Sequence, residues 1–122
     1  TTQQKEMEQA RRDKALLNTY TNEKEIDLTR DRNLQQAEVQ SKSAELRIKQ
    51  VEEHLAQYRN QTTIITKAGK PIPADLQQDI SNAESEIRHL KDTLQQKKKD
   101  MDSVRAKFEA DKLRFRELTQ KK

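Results

Sequence analysis

His54 and His89 are the only histidines in the chain, and Glu52, Glu53 and Glu86 stand close to them in sequence. Imidazole nitrogens together with carboxylate oxygens make a donor set that zinc accepts. The spacing does not deliver that set. An HxxxH or HExxH pattern would place two imidazoles on one helical face, and neither occurs. His89 also falls at an outward position of the repeat described below. No metal site is expected. A Ser–His–Asp set would need a pocket that desolvates the nucleophile and shifts its pKa. Two packed helices offer no such pocket. One glycine cannot build a glycine-rich phosphate loop, and the absence of cysteine removes thiolate nucleophiles, thiolate metal sites and disulfides. The expectation is a chain that is not an enzyme, with no cofactor and no small-molecule substrate.

Cationic runs are the second feature that could carry chemistry. Lys97–Lys98–Lys99, Arg11–Arg12 and Lys121–Lys122 accompany a pI near 9.3. Phosphate backbones are bound by basic stripes, with aromatic rings between them where bases stack. Here eight bases meet eight acids over residues 23–68, and twelve meet ten over 73–122. Neither stretch is a stripe. The four aromatic rings, Tyr20, Tyr58, Phe108 and Phe115, all fall at or near apolar seam positions. Nucleic acid is therefore not the expected partner, and a solvated face laced with ion pairs is the ordinary reading.

The elements that position these groups follow from composition. Only 30% of residues are hydrophobic and 3% aromatic, too few for the interior of a compact sphere, while 38% are charged. Disorder favours a large net charge and abundant glycine and proline, yet the net charge is +4, with one glycine and two prolines. Good helix formers make up most of the remainder. The fold class expected is all-α: a long antiparallel two-helix coiled-coil hairpin with a short extra N-terminal helix, able to assemble into a dimeric bundle.

The helix breakers cluster at one place, Gly69, Pro71 and Pro73 in AGKPIPADL. Gly69 suits the left-handed residue that closes a helix, Pro71 blocks continuation, and Pro73 suits the first turn of the next helix. Asp75 complements the positive end of that helix. The hairpin then spans 23–122, with arms at about 23–68 and 73–121 and a turn at 69–72.

Both arms carry alternating three- and four-residue steps. On the second arm these are positions 76, 80, 83, 87, 90, 94, 97, 101, 104, 108, 111, 115 and 118, of which eleven of thirteen are apolar. On the first they are Leu34, Ala37, Ser41, Ala44, Ile48, Val51, Leu55, Tyr58, Thr62 and Ile65. Such a period makes a coiled-coil seam. Two neighbouring registers satisfy a short antiparallel connection. The preferred one pairs Leu55 with Ala83 and Ala44 with Leu94, large against small. Arg30 then comes within about one layer of Asp111, and these two seam charges are expected to pair, because either alone is uncompensated beside aromatic rings.

Residues 1–22 form a separate segment. Asn22 followed by Glu25 has capping-box spacing, and Met7, Ala10, Leu17 and Tyr20 share one face of a preceding helix. The pairing rule carries this segment past the chain end, so folding back on Phe115 and Leu118, packing on a second subunit and mobility all stay open. Val39 and Leu46, seven residues apart and opposite the seam, mark with Leu17 and Tyr20 the expected interaction face. No apolar run reaches the roughly 20 residues of a membrane span.

The stretches RRDKALLNTYTNEKEIDLTRDRNL, AGKPIPADL and FEADKLRFREL resemble an uncharacterised family of proteobacterial helical-hairpin proteins. The resemblance implies export to the periplasm or cell envelope and supplies no catalytic residues. The cytoplasm is the alternative, since a cysteine-free chain also fits a reducing compartment. The function expected is a structural or protein-interaction module acting by self-association, as a homodimer, or by docking protein partners. The alternatives are a chaperone-like binder of unfolded clients, suggested by a likeness of shape to periplasmic holdases, and, third, weak nucleic-acid binding.

Overall fold

The computed structural model describes residues 1–120, and the Lys121–Lys122 pair and the expected arm end at 121 lie outside that range. Three helices make up the fold: α1 (Thr2–Thr19), α2 (Glu23–Lys67) and α3 (Ala74–Gln120). No strand occurs among the described residues. Helices α2 and α3 pack against each other as an all-α hairpin.

The boundaries are set by local chemistry. Helix α1 ends where Tyr20 turns extended, at φ −120° and ψ 142°. Asn22 Oδ1 then accepts from the Glu25 backbone N–H at 3.0 Å, satisfying a free donor at the start of α2. The Glu25 carboxylate reaches back to the Thr21 N–H at 3.1 Å rather than to that of Asn22, one residue before the usual capping-box partner. Glu23 and Glu25 in this first turn also complement the helix dipole.

At the other end of α2, Gly69 adopts φ 73°. Its N–H donates to Thr66 O, and the Lys70 N–H donates to Ile65 O at 3.2 Å, closing two carbonyls that the helix leaves open. Pro73 stands one position earlier than expected. Its carbonyl accepts from the Gln77 N–H, so it caps α3 from outside and Ala74 is the first helical residue.

Every seam position expected on the two arms is buried or half-buried, including the polar Ser41, Lys97 and Asp111. Two compact units contain them. The first comprises Thr1–Ala37 with Asp100–Lys122, and the second Glu38–Lys99. Helix α1 lies within the first unit, where Leu16 and Tyr20 pack on its core.

In the second unit, Val51, Leu55, Ala83 and Ile87 form the core, with Tyr58 and Ile80 against it. These are the partners of the preferred register, in which alanine faces leucine and isoleucine faces valine. Arg47 Nε donates to Glu86 at 2.7 Å across the two helices.

In the first unit three helices meet. Ile26 is 0% exposed, and it clusters with Phe108 and Phe115 beneath Leu16, Tyr20 and Val104. The seam spacing did not mark Ile26. Continued toward the start of α2, the spacing lands on Arg30, Asp27 and Glu23, one position away, and it takes a third helix to turn the neighbouring residue inward. Asp27 binds Lys112 Nζ at 3.1 Å, and Glu23 binds Arg116 Nη2 at 2.6 Å, each pairing one residue off the preferred register.

Candidate functional site

Of the three alternatives for the N-terminal segment, the structure takes the fold-back, and ion pairing explains how. Asp13 faces Arg114 on α3. The guanidinium donates Nε to Oδ1 at 2.9 Å and Nη2 to Oδ2 at 2.7 Å, a two-pronged match of planar groups. Gln9 Nε2 adds a donor to Asp13 at 2.8 Å, and Glu117 takes the remaining Arg114 nitrogen at 3.0 Å. The guanidinium, and then Gln9, hold the Asp13 carboxyl down to a pKa of about 2, and the same bond holds the Arg114 pKa up.

This pairing rotates α1 away from the expected face. Asp13, Leu16 and Tyr20, spaced three and four apart, are the half-buried row. Leu17 is 43% exposed and Met7 60%. An aspartate on the inward row is invisible to an apolar-pattern reading, since its partner lies 101 residues away. Of the expected face, Tyr20 packs on the core and Leu17 does not.

Beside this pair lies an open groove of about 600 Å³, floored by Ala15, Leu16 and Ala110 and edged by Arg12, Lys107 and Asp111. Lys107 Nζ stands 5.4 Å from the centre of the Phe108 ring, within cation–π reach. Asp111 makes no hydrogen bond or ion pair among the described residues, and the expected bond to Arg30 is not formed. Arg30 donates instead to Asp31 at 3.0 Å and to Asp27 at 3.3 Å. Both acids sit within one turn on its own helix, so the arginine is compensated locally. Asp111 is compensated by its half-exposed position at the groove.

His54 and His89 are exposed, as are Lys98 and Lys99. No cluster of three potential metal-ligating side chains exists among the described residues. No described helix is long and apolar enough to cross a membrane. The expected outward pair is exposed: Val39 at 58% and Leu46 at 64%. Ile64, at 60%, was not singled out from the sequence, because it lies off the row that Val39 and Leu46 share.

The class that fold and surface define is an all-α helical hairpin with a third helix folded against it. No family model, curated protein or solved structure matches the chain.

Proposed function

We propose that the chain is a non-catalytic structural or protein-interaction module that works through the outer surface of its coiled-coil hairpin. The observation that carries this reading is the exposure of Val39 and Leu46 on α2. Seam residues are used in packing, and Arg47, Lys112, Arg114 and Arg116 are engaged in ion pairs that link one helix to another. Leu46 is the most exposed large apolar side chain among the described residues, and removing it from water would contribute roughly 1–2 kcal/mol. A bacterial envelope location is part of the proposal and rests on the resemblance of the three stretches quoted above.

A photo-reactive residue at position 46 in cells should give discrete cross-linked species. The same probe at position 78, outward on α3, should not. An identical pattern from both positions, or none from either, removes the reading.

The exposure of Met7 and Leu17 on α1 favours a second reading, a chaperone-like binder of unfolded proteins. A stoichiometric amount of the chain that leaves aggregation of an unfolded client unchanged removes it.

A further inference from the structure

We propose that the outer face of α2 is a self-pairing surface, occupied by the same face of a second copy running antiparallel. The proposal rests on the reading of the chain as an interaction module and names the partner. Arg32, Val39, Leu46 and Glu53 belong to one unbroken helix and follow one another at seven-residue intervals. The heptad spacing alone places them in one row, opposite the seam, and all four are exposed.

The order of chemistry along this row is base, aliphatic, aliphatic, acid. Read backwards it is its own complement. A two-fold axis between residues 42 and 43 sets Val39 of each copy against Leu46 of the other, and Arg32 against Glu53. That reciprocity is what an isologous interface requires. A parallel pairing in the same register would set Arg32 against Arg32 and Glu53 against Glu53, which costs rather than stabilises.

The two charges are available. Neither Arg32 nor Glu53 forms an ion pair or hydrogen bond among the described residues, whereas Arg30, Arg47, Arg114 and Arg116 are all engaged. On one side of the row stand Gln36, Ser43, Gln50 and Gln57, and on the other Gln35, Lys42, Lys49 and Ala56, all exposed; the two lysines are long enough to turn their ammonium groups out to water beside a pairing centred on Val39 and Leu46. Ser43, beside the axis, is small enough to let the two helices approach.

Sedimentation equilibrium of the full chain over a concentration series tests this. The average mass should rise from 14.4 kDa toward twice that value. Leu46→Glu should stay monomeric with unchanged helical circular dichroism. Arg32→Glu or Glu53→Arg alone should raise the dimer dissociation constant about 3–10-fold, since each reversal spoils two symmetry-related surface pairs. The double reversal Arg32→Glu/Glu53→Arg should return it to within about two-fold of the original. In this cysteine-free chain, Ser43→Cys should oxidise to a disulfide-linked dimer and Ser85→Cys, outward on α3, should not.

A monomer at every concentration overturns the proposal, as does a dimer indifferent to Leu46→Glu or a double reversal weaker than both singles. A chain that stays monomeric yet loses a cross-link to another protein on Leu46→Glu overturns self-pairing alone, and the broader reading stands.

Discussion

The Asp13 carboxylate and the Arg114 guanidinium meet through two parallel hydrogen bonds, of 2.9 and 2.7 Å, and fasten α1 to α3. Helix α1 has no fully buried residue of its own. Its attachment therefore depends on this pair and on the half-buried Leu16 and Tyr20. A helix of 18 residues at this composition is marginal in isolation, so loss of docking and loss of helix should coincide.

The first prediction follows from the direction of the carboxylate shift. Asp13 is lowered to about 2 by its hydrogen bonds to Arg114 and Gln9, and Glu23 is lowered by its bond to Arg116. An unfolded aspartate titrates near 3.9. A lowered folded pKa means that the contribution is complete above the unfolded value and disappears as pH falls through the folded one. The N-terminal segment should stay docked at pH 5 and loosen between about pH 4 and pH 2. Protection factors of the residue 5–19 amides, taken against the intrinsic exchange rate at each pH, should fall across that window. Asp13→Asn should show low protection at every pH, and wild-type-like protection in that variant would show that the pair does not hold the helix.

The second concerns the ring beneath α1. Phe115 is 4% exposed among Ile26, Phe108, Leu16 and Tyr20. Truncation removes its transfer energy and leaves a hole bounded by three helices, so Phe115→Ala should cost about 3–5 kcal/mol. Leu113→Ala, two positions away and 47% exposed, should stay within about 0.5 kcal/mol of wild type. Urea unfolding of both variants measures the contrast. Equal losses would mean that α1 does not enclose the Phe115 ring.

Much of the fold was legible because the seam is periodic and the breakers are concentrated. Two side chains per heptad must face the partner helix, and Gly69, Pro71 and Pro73 mark the turn between the two long helices. Register was narrowed to two, and the four residues that the preferred one brings together, Val51, Leu55, Ala83 and Ile87, share one cluster. The first unit was less legible for one physical reason. Its inward residues include Asp13, Asp27, Glu23 and Lys112, charges that come inward only because each finds an opposite charge on another helix. Hydrophobic periodicity reads Asp13 and Lys112 as outward, and although the seam spacing reaches Asp27 and Glu23, an apolar count does not register them. Arg30 fails in the opposite sense: it lies on the seam but bonds to acids on its own helix. Of the surface, Val39 and Leu46 were readable from spacing alone, whereas the row position of Leu16 rather than Leu17 depended on the ion pair.

A third prediction concerns Ser41, the one buried polar residue among the described residues, 7% exposed, whose hydroxyl oxygen finds no partner there. A buried hydroxyl without a hydrogen bond costs about 1–3 kcal/mol of desolvation. Alanine removes that cost, keeps most of the volume and favours helix by roughly half a kcal/mol. Ser41→Ala should therefore stabilise the chain by about 1 kcal/mol, read as a higher urea midpoint with an unchanged slope. A lower midpoint would mean that the hydroxyl is satisfied in solution.

The turn supplies a prediction in which backbone and packing separate cleanly. Gly69 sits at φ 73°, and a Cβ built there meets nothing within 4 Å. Any cost of Gly69→Ala is then conformational, because an L-residue at positive φ brings its Cβ against its own carbonyl. The expected loss is roughly 1–2 kcal/mol, with no change in the slope of urea unfolding. The sign should invert for the mirror-image residue. D-alanine at position 69, placed by chemical ligation, prefers positive φ and restricts the unfolded chain, so it should stabilise by about 0.4–1 kcal/mol. Ala68→Gly, one position earlier at negative φ, should destabilise by about 0.5–1 kcal/mol. Were D-alanine as harmful as L-alanine, the left-handed residue at 69 would not be what closes α2, and the two hydrogen bonds from Gly69 and Lys70 would have to form by another route.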